Sequence, residues 1–173
     1  MAAPAPRSGG GGLRLALFGL VIAVPIALLA YVFYDVSRTG GVSKLPDGTT
    51  YVDLQAMSLN SFDQVDGTRE DLPAQYLALD GQRVAMDGEM WVDGSASGAV
   101  SRFDLVYSIS DCCLSGAPQV QHFVESTPPS GERVPMYDGL VRAVGTLRID
   151  VTRDAGGVTG VYHLDDVTVE PLD

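Results

Sequence analysis

The sequence predicts a mainly β protein: a small OB-like antiparallel β-barrel carried on a single N-terminal transmembrane helix. Three observations lead there. The segment Leu15–Tyr34, LALFGLVIAVPIALLAYVFY, contains no charged residue. Behind it, runs of alternating apolar and polar residues recur, as half-buried strands require. Two of the longer runs carry an internal glycine, Gly88 and Gly145, and the turn sequence Asp154-Ala155-Gly156-Gly157 separates the last two runs. Bends within strands and a tight hairpin are what a small sheet needs to curl on itself. A β-sandwich fragment is the alternative architecture.

Residues 1–13 are rich in Gly, Ala and Pro. Such a composition cannot bury a core and reads as a disordered cytoplasmic tail. Residues 14–34 form the transmembrane helix, since ~20 uncharged residues span a hydrocarbon layer of ~30 Å. Leu15 and Phe18 supply apolar surface, and Pro25 is tolerated in a membrane helix. Tyr31, Phe33 and Tyr34 end the run with rings suited to the membrane–water interface. A cleaved leader would have an apolar core of ~7–15 residues and small residues after it, whereas this run is longer and closes on Tyr-Val-Phe-Tyr. No cysteine follows it to take a lipid. Arg7 and Arg14 precede the helix and Asp35 and Arg38 follow it. The positive-inside rule then leaves the N-terminus in the cytoplasm and carries the C-terminal domain across the inner membrane into the periplasm.

Residues 35–50 are polar and Gly-rich and read as a stalk, followed by an exported β-barrel domain over 51–173. The chain has a net charge of −11, and its acidic residues all lie beyond Tyr34. Such a surface repels phosphates, which excludes nucleic acid and adhesion to anionic lipid. Contact with membrane lipid is left to the helix.

Within the domain, Tyr51–Met57 alternates and is expected as a strand, and Asn60–Asp71 as an acidic loop. Glu70–Leu79 is expected to form a short helix around Pro73, closed by a turn at Asp80-Gly81. Arg83–Val92 sets Val84, Met86, Gly88, Met90 and Val92 on one face, with Gly88 marking a bulge or bend. Val100–Ile109 alternates through Phe103, Leu105, Tyr107 and Ile109. Gln119–Val124 is a shorter candidate strand. Leu140–Val151 and Val161–Val169 flank the hairpin signal.

Residues 79–172 carry a recurring order of motifs: LDGQRVAMDGEMWV, FDLVYSISDCCLSGAPQVQHFV, VRAVGTLRIDV and GVYHLDDVTVEP. This order resembles an exported bacterial family known only as a domain of unknown function, with the pattern L-D-G-x-x-V, F-x-L-V, C, P-Q, V-x-G-x-L, Y-x-L. The resemblance implies a secreted or membrane-attached β domain with no established activity. At its centre this chain has two cysteines and one proline where many relatives have one cysteine and a proline run. The layout also resembles the haem chaperone of cytochrome c maturation, an anchored OB barrel. That family's carrier motif, a histidine with a tyrosine four residues later, is absent here, because Val167 stands four residues after His163.

Few residues offer chemistry. Cys112 and Cys113 are the chain's only cysteines. Neighbouring Cα atoms lie ~3.8 Å apart, below the ~4.4–6.8 Å of ordinary disulfides, so a bond between them would be strained. The pair reads as two buried thiols, a vicinal disulfide, a metal or haem site, or a link to a partner chain. With His122 and His163 they make four ligands of the type zinc takes, though adjacent cysteines seldom reach one ion; the two histidines otherwise read as strand residues. Asp63, Asp66, Glu70 and Asp71 lack the alternating oxygen spacing of a calcium loop and read as a solvated loop. Asp165 and Asp166 read as the end of a strand face. Gly94-Ser95-Ala96-Ser97-Gly98 has Ala96 where a hydrolase elbow needs serine. Trp91, the one tryptophan, faces away from the inferred core, either as a partner contact or covered by 51–79. No cofactor and no catalytic set emerges. The expectation is a non-catalytic accessory or assembly subunit of an integral membrane complex; the alternative is a metal, haem or thiol carrier using Cys112 and Cys113.

Overall fold

The computed structural model describes residues 11–92, 94, 98–110, 119–154 and 156–172. The chain divides into two units, Met1–Arg38 and Thr39–Asp173. The first contributes helix α1, Gly11–Thr39, with Pro25 inside it. Leu20, Val21, Ile22, Val24, Ile26, Leu28, Leu29, Tyr31, Val32 and Tyr34 are all exposed on it. Among the described residues no helix is long and apolar enough to cross a membrane; the continuous stretch of α1 with described side chains runs from Gly19 to Val32, shorter than the ~20 residues a crossing takes.

The second unit is mainly β. Strand β1 (Val42–Lys44) pairs antiparallel with β2 (Thr50–Val52), and β2 runs parallel to β3 (Arg83–Trp91). Strand β3 then serves two neighbours. Its end, Glu89–Trp91, pairs with β5 (Phe103–Val106), while Arg83–Glu89 pairs with β8 (Leu140–Asp154). Strand β5 pairs with β6 (Val124–Thr127), β6 runs parallel to β9 (Gly157–Pro171), and β9 pairs with β8. The pairings β3–β5–β6–β9–β8 therefore return to β3. A separate ribbon joins β4 (Ala99–Val100) to β7 (Val134–Pro135).

Alternation built the long strands as expected. In β3, Val84, Met86, Gly88 and Met90 are buried, and so are Val141, Ala143, Leu147 and Ile149 in β8. They join Leu105, Val124, Tyr162 and Leu164 in one core. Gly157 pairs with Asp154 in the expected hairpin, and Gly81 makes the turn at φ +77°.

Four expectations are corrected. The sheet is not wholly antiparallel, because β2–β3 and β6–β9 run parallel. The alternating run Tyr51–Met57 is only briefly a strand: Asp53 accepts from the backbone N–H groups of Gln55 and Ala56 and caps helix α2 (Leu54–Ser58). A capping carboxylate satisfies helix-end donors and decides for helix over a weak strand pattern. Gln119–Val124 becomes a 3₁₀ turn, Val120–His122, before β6. There the buried Gln121 donates to the Asn60 carbonyl at 3.0 Å, and Gln64 accepts from the Val120 N–H at 2.9 Å, which draws the chain out of the ladder. The expected stalk also divides, with Val42–Lys44 and Thr50 entering the sheet.

Glu70–Leu79 yields the short helix α3, Ala74–Leu77. This segment is tied to β8: Asp80 accepts from the Ile149 N–H at 2.9 Å, and Arg69 bridges the Ile149 carbonyl and Asp80. The expected bend at Gly145 has a partner on the next strand. Between Val144 and Thr146 the β8–β9 register shifts from Thr168 to Asp165, giving β9 one extra residue. Asp166 takes it up at φ +52°, the left-handed backbone of a bulge that aspartate tolerates better than most side chains.

Candidate functional site

The pairings set one row of polar residues across five strands. Trp91 stands opposite Asp104, Asp104 opposite Glu125, Glu125 opposite His163, and His163 opposite Arg148. Their neighbours Met90, Phe103, Leu105, Val124, Leu147 and Ile149 are buried core residues, so alternation turns Trp91, Asp104, Glu125 and Arg148 to the outer face, whereas His163 is buried along with Val161, Tyr162 and Leu164.

A cavity of about 230 Å³ opens on that face, lined by Trp91, Arg102, Asp104, Val120, Phe123, Glu125, Thr159, Gly160 and Tyr162. Trp91 packs on Phe123 with ring centroids 5.9 Å apart and planes tilted by 56°. Arg102 reaches Glu125 at 3.3 Å, yet its side chain is 69% exposed. Two carboxylates directly opposite on neighbouring strands repel one another. Burial, and next the charge of Glu125, push the Asp104 carboxyl above its ordinary value, against the opposing pull of Arg102 and His163.

Asp104 is therefore placed against the interest of stability. Its raised carboxyl favours folding while protonated, and that contribution is lost as the pH rises through its folded-state value. Replacing Asp104 by Asn is expected to raise stability by about 0.5–1 kcal/mol at neutral pH. The gain should vanish below 3.8, where the unfolded carboxyl is protonated as well. Thermal melts of both proteins at neutral pH and below that value check it; an unchanged or lower neutral-pH melting temperature refutes the repulsion.

His163 closes the row inward. Its side chain is 4% exposed, and Nδ1 lies 4.0 Å from a Glu125 oxygen, too far for a hydrogen bond. Among the described residues Nδ1 has no hydrogen-bond partner, nor has the buried Tyr162 hydroxyl. On the other side of the ring, Nε2 lies 3.2 Å from the Asp150 carbonyl.

Of the sequence-predicted residues, Cys112 and Cys113 lie outside the described residues, as do Ser95, Ala96 and Ser97. Among the described residues no group of three His, Cys, Asp or Glu side chains could hold a metal. His122 ends the 3₁₀ turn instead of standing on a strand, and burial lowers its pKa. Asp63 accepts from the N–H groups of Val65 and Asp66, and Asp71 from Thr68, so these acids serve their own turns. Asp165 pairs with Arg148 at 2.9 Å. Trp91 does lie outside the core, packed on Phe123. Sequence reasoning missed Arg102, Asp104 and Glu125. Their only local signal is a charged residue at the outward position beside strand residues.

Fold and site define a mainly β domain with a groove that joins an aromatic pair to a carboxylate pair. No family model matches the chain, and no curated protein matches it. Among solved structures, the crystal structure of a DUF3299 family protein from Pseudomonas aeruginosa is similar at 20% identity, with a TM-score of 0.38. The match covers 56% of this chain and 66% of that one. The neighbour's family is one of unknown function, as is the family that the motif order resembles.

Proposed function

We propose that this chain is a membrane-anchored periplasmic domain acting as a non-catalytic accessory or assembly subunit of a larger membrane complex, docking through the groove beside Trp91. The observation that carries the reading is the half-buried Trp91–Phe123 pair lining a cavity on the outer face, since aromatic residues are enriched at interfaces. The returning circuit β3–β5–β6–β9–β8, with its one parallel pair, supports an OB-like barrel as the scaffold. The uncharged run Leu15–Tyr34 and the apolar side chains exposed along α1 support a single-pass anchor.

The full chain, purified from its own membranes in a mild detergent, is expected to bring a membrane complex with it. Trp91→Ala should reduce that recovery about tenfold, a usual cost of truncating an aromatic anchor, with the circular dichroism spectrum unchanged. A chain that migrates alone, or a variant that retains the complex, rejects the reading. Bound metal or haem lost on joint Cys112→Ser and Cys113→Ser replacement would favour the carrier.

A further inference from the structure

We infer that Asp138–Gly139 is a site of spontaneous backbone modification, where aspartate rearranges to isoaspartate while the fold holds back the other described Asp–Gly steps. The dipeptide occurs six times, at Asp47, Asp66, Asp80, Asp87, Asp93 and Asp138; Asp93 lies outside the described residues. In the rearrangement the glycine nitrogen attacks the side-chain carboxyl carbon of the aspartate. A C–N bond forms, and the N–H proton leaves with the carboxyl hydroxyl as water. A second water then opens the cyclic imide. Where it cleaves the bond to the main-chain carbonyl, the chain continues through the side chain and the mass is unchanged. Glycine suits the step because it has no Cβ to crowd the ring. A hydrogen bond that holds the glycine N–H must first break, and a carboxylate kept ionised is a poor target for the attacking nitrogen.

The fold sorts the described steps by these two restraints. The Asp47 carboxylate accepts from the Thr49 N–H and hydroxyl, which hold its pKa down, and the Gly48 N–H donates to the Leu45 carbonyl at 2.9 Å. The Gly81 N–H donates to the Leu147 carbonyl at 2.7 Å, while the Ile149 N–H and then Arg69 hold the Asp80 carboxyl down. Asp87 accepts two bonds from Arg142, each at 2.7 Å, and Gly88 lies within the β3–β8 pairing. At Asp66 the N–H restraint stands without a second: Gly67 donates to the Asp63 carbonyl at 3.2 Å. Among the described residues Asp138 and Gly139 have neither restraint. Both are exposed in a bend, and a Cβ on Gly139 would meet nothing within 4 Å. The product keeps its negative charge but adds a methylene to the main chain just before Leu140, which opens β8 opposite Glu89.

The detergent-solubilised full chain would be incubated at neutral pH in water enriched in heavy oxygen, then digested and mapped by mass spectrometry. Passage through the imide leaves a heavy oxygen at that aspartate, and electron-based fragmentation separates isoaspartate from aspartate. Asp138 is expected to take up label first, several-fold ahead of Asp66. It should lead Asp47, Asp80 and Asp87, where more than one bond must break, by at least about tenfold. In urea these steps should label at similar rates, because unfolding removes the restraints. Asp138→Glu should abolish label at that position and leave the others unchanged, since the larger ring that glutamate requires closes far more slowly. Equal labelling of the described steps in the folded chain overturns the inference, and so does a lead taken by any of the other four. A lead of Asp138 that persists undiminished in urea also overturns it, because the cause would then lie in the local sequence and not in the fold. None of these outcomes depends on the docking reading.

Discussion

Gly88→Ala is expected to destabilise the domain by about 3 kcal/mol, the upper part of the range for forcing a methyl into a packed interior. A Cβ built on Gly88 would meet the Val106 carbonyl oxygen at 2.5 Å, the Leu105 Cγ at 3.1 Å and a Leu54 methyl at 3.2 Å. The nearest of these is backbone in β5 and cannot swing aside. Gly88 also lies next to Glu89, where β3 changes partners from β8 to β5, so a displaced strand loosens both pairings. Gly48 is the contrasting control. Its φ is +87° with nothing within 4 Å of the added carbon, so Gly48→Ala should cost only the ~1–2 kcal/mol of a left-handed backbone. Urea unfolding of both variants measures the difference. A Gly88→Ala midpoint at or above that of Gly48→Ala would refute the close approach as the reason for glycine.

Tyr76→Ala should cost about 3–5 kcal/mol, as large aromatic truncations do, a large part of the ~5–15 kcal/mol by which domains are stable. Tyr76 is fully buried and meets Tyr162 edge-on at 6.3 Å. Its hydroxyl donates to the Gly40 carbonyl at 2.8 Å and accepts from Asn60 at 3.4 Å. Tyr76→Phe keeps the ring and removes these bonds, leaving the Gly40 carbonyl without its donor, for about 1–2 kcal/mol. Denaturant unfolding of the two variants separates packing from hydrogen bonding. Losses of equal size would mean that the hydroxyl, and not the ring, carries the effect.

The weighting of these effects bears on the groove. Stability concentrates in close contacts such as those of Gly88 and Tyr76, while Asp104 opposes Glu125 across a strand pair at a cost to folding.

Several features were legible in the residues themselves. The faces of β3, β8 and β9 follow from alternation, because a strand buries every second side chain whatever its partner. The Asp154–Gly157 hairpin and the Gly81 turn follow from local backbone preference. Asp53 and Gln121 show where this local reading ends. Each is one polar residue in an apparently alternating run, and each redirects the chain through hydrogen bonds that the pattern does not display.

What the sequence alone determined, then, is the mainly β character, the core faces, the acidic surface and the uncharged apolar helix segment, all properties of residues near one another in the chain. Only the tertiary structure decided that β6 runs parallel to β9, that the pairings return to β3, and that Trp91, Asp104, Glu125 and His163 share one row. The physical reason is register. A strand's own side chains determine which face it buries, but which residue stands opposite which depends on how the whole sheet packs, and a slip of one position would turn every member of the row to the other face.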